Sequence, residues 1–327
     1  MTLSLSVRIL RRISSYLTRR QRLLRVIEIG GIGCFFFCAA PNLQAEMNSA
    51  PQLDIPSDIP SDIPSDEKPA GPLMNPIEGS MGMEDVEIHP FFIQYHGIFF
   101  GPALKKPNAY QPTPTGGRDP NFPVQFKNFL GMGYQLSDEI AITPTAHWIW
   151  RPVMGQKLIL MDPFLRLSHS QLIATDHWNL YGDVRFHFGV SPHSRESDDL
   201  GGIQTFQALS FVPDDEGQVI MSLYGSARYH FFGKQGRGYD LELYLAPHLA
   251  VQIVPNLAFT LLYEMQAGHV FGARPGTLDN DGTDLQLGLN WELTPGFNLN
   301  PYVNLYPGQS MSLRSSSLGM TVSWKIF

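Results

Sequence analysis

The stretch HWNLYGDVRFHFGV, residues 177–190, carries Asp183, Arg185 and His187 at every second position, with Val184, Phe186 and Phe188 between them. Successive side chains of a β-strand point to opposite faces, so the spacing predicts a strand with one apolar and one charged face. A soluble antiparallel sheet alternates in the same way, with its polar face in water. The rest of the chain has to decide between a soluble sheet and a membrane one.

The period of two recurs along the whole body. Alternation predicts about twelve strands, at residues 88–101, 125–137, 140–150, 157–168, 177–190, 204–212, 218–232, 239–251, 257–271, 283–293, 298–306 and 311–327. Most are longer than the roughly five or six residues of a globular strand and suit tilted membrane strands of about 9–11 or more. The faces sharpen the reading. YDLELYLAPHLAV sets Leu241, Leu243, Leu245 and Leu249 against Asp240, Glu242, Tyr244 and His248, and TDLQLGLNWEL sets Leu285, Leu287, Leu289 and Trp291 against Asp284, Gln286, Asn290 and Glu292. A sandwich would need short, kinked or lysine-guarded edge strands, and few such devices are present. Long leucine-faced strands point instead to closure into a barrel.

All five tryptophans, Trp148, Trp150, Trp178, Trp291 and Trp324, fall near predicted strand ends and on the apolar face. Indole pairs an apolar body with one N–H donor and suits the boundary between hydrocarbon and headgroups, as in the aromatic girdles of membrane barrels. The connections alternate too. If the first strand rises from the periplasm, the outer connections are 102–124, 151–156, 191–203, 233–238, 272–282 and 307–310, several of them long and rich in Gly, Pro and Asp. The inner ones include SDE at 137, PDDEG at 213 and TPGF at 294, which are short.

The first 45 residues read as a cleaved signal peptide: seven arginines, then the apolar run IGGIGCFFFCAA, then NLQA before Glu46. The apolar run falls short of the roughly 20 residues of a spanning helix. Both cysteines, Cys34 and Cys38, lie in this leader, so the chain after it has no disulfide and no cysteine metal site. Residues 46–87 carry three copies of Ile-Pro-Ser-Asp and ten acidic residues against Lys68 alone, which predicts an extended, disordered periplasmic linker. Taking the leader's seven arginines from 23 bases and its one glutamate from 30 acids leaves 16 and 29, a net of −13. Nucleic acid is therefore not expected as a partner.

Leader, cysteine-free body, about twelve alternating strands and a last strand LGMTVSWKIF ending in Phe327 together resemble a bacterial outer-membrane β-barrel protein. The hairpin LGMGYQLSDEIAITPTAHW is loosely similar to barrel families carried under transporter labels, including the one named for phenol meta-pathway genes. The resemblance implies an all-β, antiparallel, up-and-down transmembrane barrel over residues 88–327. It implies a porin-like or transporter-like protein of the outer membrane, in contact with its lipids and lipopolysaccharide. Phe327 would be the signal read by the barrel-assembly machinery. One feature departs from the usual pattern: Leu318, Met320, Val322, Trp324 and Ile326 form the apolar face, and Phe327 falls in frame with Ser323 and Lys325.

On that reading the polar faces line a lumen, which gathers Lys127, Asp162, Arg166, Asp183, Arg185, His187, Arg228, Asp240, Glu242, Glu264, Asp284, Glu292 and Lys325. A lumen of this kind suits a narrow channel for small hydrophilic solutes or ions, with charge rows setting selectivity. The alternative is a plugged structural or adhesive barrel in which charges such as Asp162 and Arg166 pair as struts. A hydrolase is the weakest of the three readings. Outer-membrane lipases place His and Ser two apart on one strand face, but HS at 169 and at 193 are adjacent pairs, and no His-x-Ser occurs in the body. SPHSRESDDL, with His193, Asp198 and Asp199, reads as a polar loop rather than a protease rim. Histidines 96, 147, 187, 230 and 248 show no metal-ligand spacing, and DNDG at 279 lacks the remaining ligands of a calcium loop. No cofactor, metal or catalytic residue is expected.

Overall fold

In the computed structural model, residues 90–112, 118–153, 155–213, 217–307 and 312–326 are described. The expected signal peptide, the Ile-Pro-Ser-Asp linker and Phe327 lie outside them. The elements are β1 (Phe91–Ala103), β2 (Tyr110–Pro112), β3 (Arg118–Pro123), β4 (Gln125–Gln135), β5 (Ile140–Arg151), β6 (Lys157–Leu160), β7 (Phe164–Ala174) and β8 (Trp178–Phe188). There follow α1 (Pro192–Glu196), β9 (Asp199–Phe211), β10 (Val219–Phe232), β11 (Tyr239–Val254), β12 (Leu257–Val270), β13 (Asp279–Thr294), β14 (Phe297–Leu305) and β15 (Ser317–Lys325).

Twelve strands pair with their neighbours in the ring β1-β4-β5-β7-β8-β9-β10-β11-β12-β13-β14-β15. The ring closes where β15 returns to β1, with Trp324 opposite Tyr95 and Val322 opposite Gly97. Every pairing is antiparallel, and closure leaves the ring of twelve without an open edge, which is what hydrocarbon demands of a backbone. The strands run from 9 residues in β14 to 16 in β11 and β13. At one end the connections are short, at residues 136–139, 175–177, 212–218, 255–256 and 295–296. At the other all but 233–238 are longer: 104–124, which holds the β2–β3 hairpin, 152–163 with β6, 189–198 with α1, 271–278 and 306–316.

The alternation decides which way each side chain points. In β8, Tyr181, Asp183 and Arg185 are buried inside, while Phe186 and Phe188 are exposed outside. The outer wall is apolar, with Met132 63% exposed and Leu318 50%, and all of Trp148, Trp150, Trp178, Trp291 and Trp324 lie in the outward frame. One polar residue on this wall, Asn128, is satisfied locally: it accepts from the Tyr95 hydroxyl at 2.7 Å and donates to the carbonyl of Phe126 at 3.1 Å. On the inner wall two glycines let rings lie flat. The Phe92 ring covers Gly133 and the Tyr302 ring covers Gly319, where a β-carbon would collide with each ring.

The chain departs from the expected boundaries most in three places, and β13 also starts four residues early, at Asp279, so that the DNDG stretch expected in the connection 272–282 belongs to the strand. Residues 157–168 are not one strand: β6 folds back on β5, and the barrel strand starts only at Phe164. Pro163 has no N–H for a ladder, and the Asp162 side chain is engaged by another loop, so the chain breaks there. β9 begins at Asp199, earlier than expected, because Asp199 is tied to His230 of β10. The last strand is confined to Ser317–Lys325, since Ser312 and Ser315 bond one another in a turn ahead of it.

Candidate functional site

The inner wall is polar and tightly filled on one side. Arg185 is 1% exposed, with Nε donating to Asp183 Oδ1 at 2.8 Å and Nη2 to Oδ2 at 2.9 Å. The Tyr181 hydroxyl adds a bond to the same carboxylate at 2.9 Å. The guanidinium lies over the Phe206 and Phe164 rings, at 5.2 and 5.8 Å from their centres. A bidentate pair flanked by two ring faces is the arrangement that makes a desolvated arginine tolerable. Phe164 approaches Phe129, which stacks on His147 at 4.2 Å. Tyr181, Phe206, Tyr224 and Tyr244 continue the buried inner layer along β8, β9, β10 and β11.

Strand order sorts the remaining inward charges. Apart from the Asp183–Arg185 pair and Asp199, which His230 holds, Lys127, Arg166 and Arg228 lie on the arc from β4 to β10, whereas Glu242, Glu264 and Asp284 lie on the arc from β11 to β13. In a ring of twelve, strands six places apart face one another across the lumen. β4 with Lys127 thus faces β11 with Glu242, and β7 with Arg166 faces β13 with Asp284. Opposed strands run in the same direction, and each of these four residues lies in the half of its strand nearer the long loops.

Two of the three acids, Glu264 and Asp284, are held by neutral donors. The Tyr244 hydroxyl donates to Glu264 at 2.7 Å and the Gln286 amide to its other oxygen at 2.6 Å. Asn304 donates to Asp284 at 3.1 Å. Nearer the long loops, His230 bridges Asp199 at 2.8 Å and Glu242 at 3.4 Å, and Arg228 stands 3.9 Å from Glu242. One nitrogen of the imidazole faces each carboxylate, so this trio is a strut and not a set of converging metal ligands.

Several expected pore-lining residues do other work. Asp162 is not paired with Arg166: it accepts from the backbone N–H of Val190 at 2.9 Å, from that of Ser191 at 2.7 Å, and from the Ser194 hydroxyl, and so pins α1. Asp240 sits at the rim, 2.6 Å from His269. Glu292 is at the opposite end, where it accepts from the N–H of Gly296 at 3.4 Å in the β13–β14 turn. His187 faces inward and bonds Gln204 at 3.0 Å. Lys325 is exposed at the short-turn end. His193, Asp198 and Asp199 do not converge: Asp198 takes the N–H of Gln235, and Asp199 takes His230.

Two features escaped the sequence reading. α1 carries a legible signal, a Ser191 N-cap followed by Pro192 at the first helical position. The inward pair of His96 and Ser323, 2.9 Å apart on β1 and β15, has no such signal, because only the closing register brings residues 227 apart together. No carboxylate bonds His96, whose Nε2 is without a partner among the described residues, so the pair lacks the orienting acid of a nucleophilic triad.

No protein-family model matches the sequence, and no curated protein matches it. Among solved structures the chain is similar to an outer membrane channel from Pseudomonas putida F1, at 13% identity over 76% of this chain and 100% of that one, with a TM-score of 0.45. It is similar to the NanC porin at 9% identity, over 71% and 97% of the two chains, with a TM-score of 0.40. A third similarity is to the KdgM porin in complex with disordered oligogalacturonate, at 8% identity over 72% and 99%, with a TM-score of 0.40.

Proposed function

We propose that this barrel is an outer-membrane channel of narrow bore that passes small hydrophilic solutes or ions and has no catalytic role. The observation that carries the reading is the inner wall: bases and acids face one another across the lumen in the half nearer the long loops. Twelve strands enclose more room than the eight that side chains fill, and less than the sixteen or more of an open porin. Charged side chains on such a wall select solutes by field as well as by size. The apolar outer wall suits a bilayer, with the short turns and the expected linker in the periplasm. Lipopolysaccharide around the long loops and the barrel-assembly machinery at the last strand are the partners this placement requires.

The packed layer around Arg185 favours a second reading, a barrel plugged by its own side chains. Reconstitution separates the two. The full chain is expressed, and the protein recovered from the membranes is placed in a planar bilayer, with heat-modifiable gel migration showing that it is folded. Discrete conductance steps are expected. A folded barrel that stays electrically silent would leave the plugged reading standing.

A further inference from the structure

Two buried polar atoms of the inner wall, in the halves of β7 and β14 nearer the long loops, lack a hydrogen-bond partner among the described residues. On the basic arc, Arg166 is 4% exposed and its Nε, an obligate donor, has no partner among the described residues. On the acidic arc, Asn304 is 5% exposed, its amide nitrogen is committed to Asp284 and the Tyr306 hydroxyl, and its Oδ1 is left as an unpartnered acceptor. Arg166 stands on β7, which faces Asp284 on β13, and Asn304 lies on the next strand, β14. From β8 to β11 the wall between them carries Tyr181, Phe206, Tyr224 and Tyr244, a buried aromatic layer. One side of the lumen therefore offers an arginine donor, the opposite side an acceptor beside Asp284, and rings line the wall from β8 to β11.

We propose that the lumen selects small zwitterions of the amino-acid type. The carboxylate is oriented toward Arg166, the ammonium toward Asn304 and Asp284, and an aromatic or apolar side chain lies against the ring layer. A buried donor or acceptor left unpaired is costly, so a solute that supplies both missing partners gains over one that supplies a single partner. A field directed across the bore also orients a dipole, and it draws a singly charged solute to one wall only.

The inference rests on the channel reading, and the test keeps the two apart. The reconstituted protein is first shown to conduct potassium chloride. Phenylalanine, 3-phenylpropionate and phenethylamine are then compared, at neutral pH, as blockers of that ion current. These three share one ring and differ only in charged groups. Phenylalanine is expected to block at a concentration about tenfold lower than either singly charged probe, equivalent to about 1.4 kcal/mol. Glu264→Gln with Asp284→Asn should abolish its advantage over phenylpropionate, and Arg166→Gln its advantage over phenethylamine, each variant being checked by heat-modifiable migration. Equal block by all three probes, or strongest block by phenylpropionate, would overturn the zwitterion assignment while the channel stands. Absence of any ion current would overturn the channel reading, and the assignment with it.

Discussion

Asp183 and Arg185 show how a charge survives inside a barrel wall. Each is buried, and the pair is held by two hydrogen bonds of 2.8 and 2.9 Å, with Tyr181 as a third donor. Removing one partner leaves the other charge buried without compensation, which costs about 3–5 kcal/mol, whereas replacing both by apolar residues of similar volume is close to neutral. Arg185→Ala is therefore expected to lower stability by about 3–5 kcal/mol in a folding titration in lipid. Arg185→Leu with Asp183→Leu should recover most of that loss. A single variant as stable as the wild type would show that water reaches Asp183 and that this layer is not closed. The alternation in HWNLYGDVRFHFGV already placed both side chains inside. It could not show that they bond each other, because the choice between a strut and a free lumen charge depends on rotamers and on the Phe164 and Phe206 rings supplied by β7 and β9.

Among the elements, the strands were legible and the long loops much less so. Strands are written in a period of two that any ten residues display, and turns such as SDE at 137 and TPGF at 294 ended them where expected. The loop 189–198 depends on contacts that the sequence does not pair. Asp162, expected as a lumen charge, instead pins α1 through Val190, Ser191 and Ser194. Asp198 then ties this loop to the next, with its carbonyl accepting from the Gly233 N–H at 2.8 Å and its side chain from the Gln235 N–H at 2.8 Å. Asp162→Ala strips three donors of their acceptor, each buried donor so exposed being worth about 1–3 kcal/mol. The loop should then open locally with the barrel intact. Limited trypsin digestion reads this at Arg195, which is exposed: the variant should be cut there markedly faster than the wild type. Equal cutting rates would mean that Asp162 does not hold the loop.

At the scale of the whole molecule, closure turns an alternating sequence into an inside and an outside, and sets residues far apart in the chain against one another. Lys127 and Glu242 face each other because β4 and β11 stand six places apart in a ring of twelve, a relation that requires the strand count and the closing register together. The most direct test of the account asks whether the inward face lines a water-filled conducting path. With Cys34 and Cys38 replaced by serine, the chain has no thiol, and a single cysteine can be placed at Thr321, inward on β15, or at its outward neighbour Val322. The measurement is the single-channel current before and after a charged, membrane-impermeant thiol reagent. The current should fall in a step for Thr321→Cys and stay unchanged for Val322→Cys. No response at residue 321, or a block at residue 322 alone, would contradict the assignment of the inner wall as the conducting path.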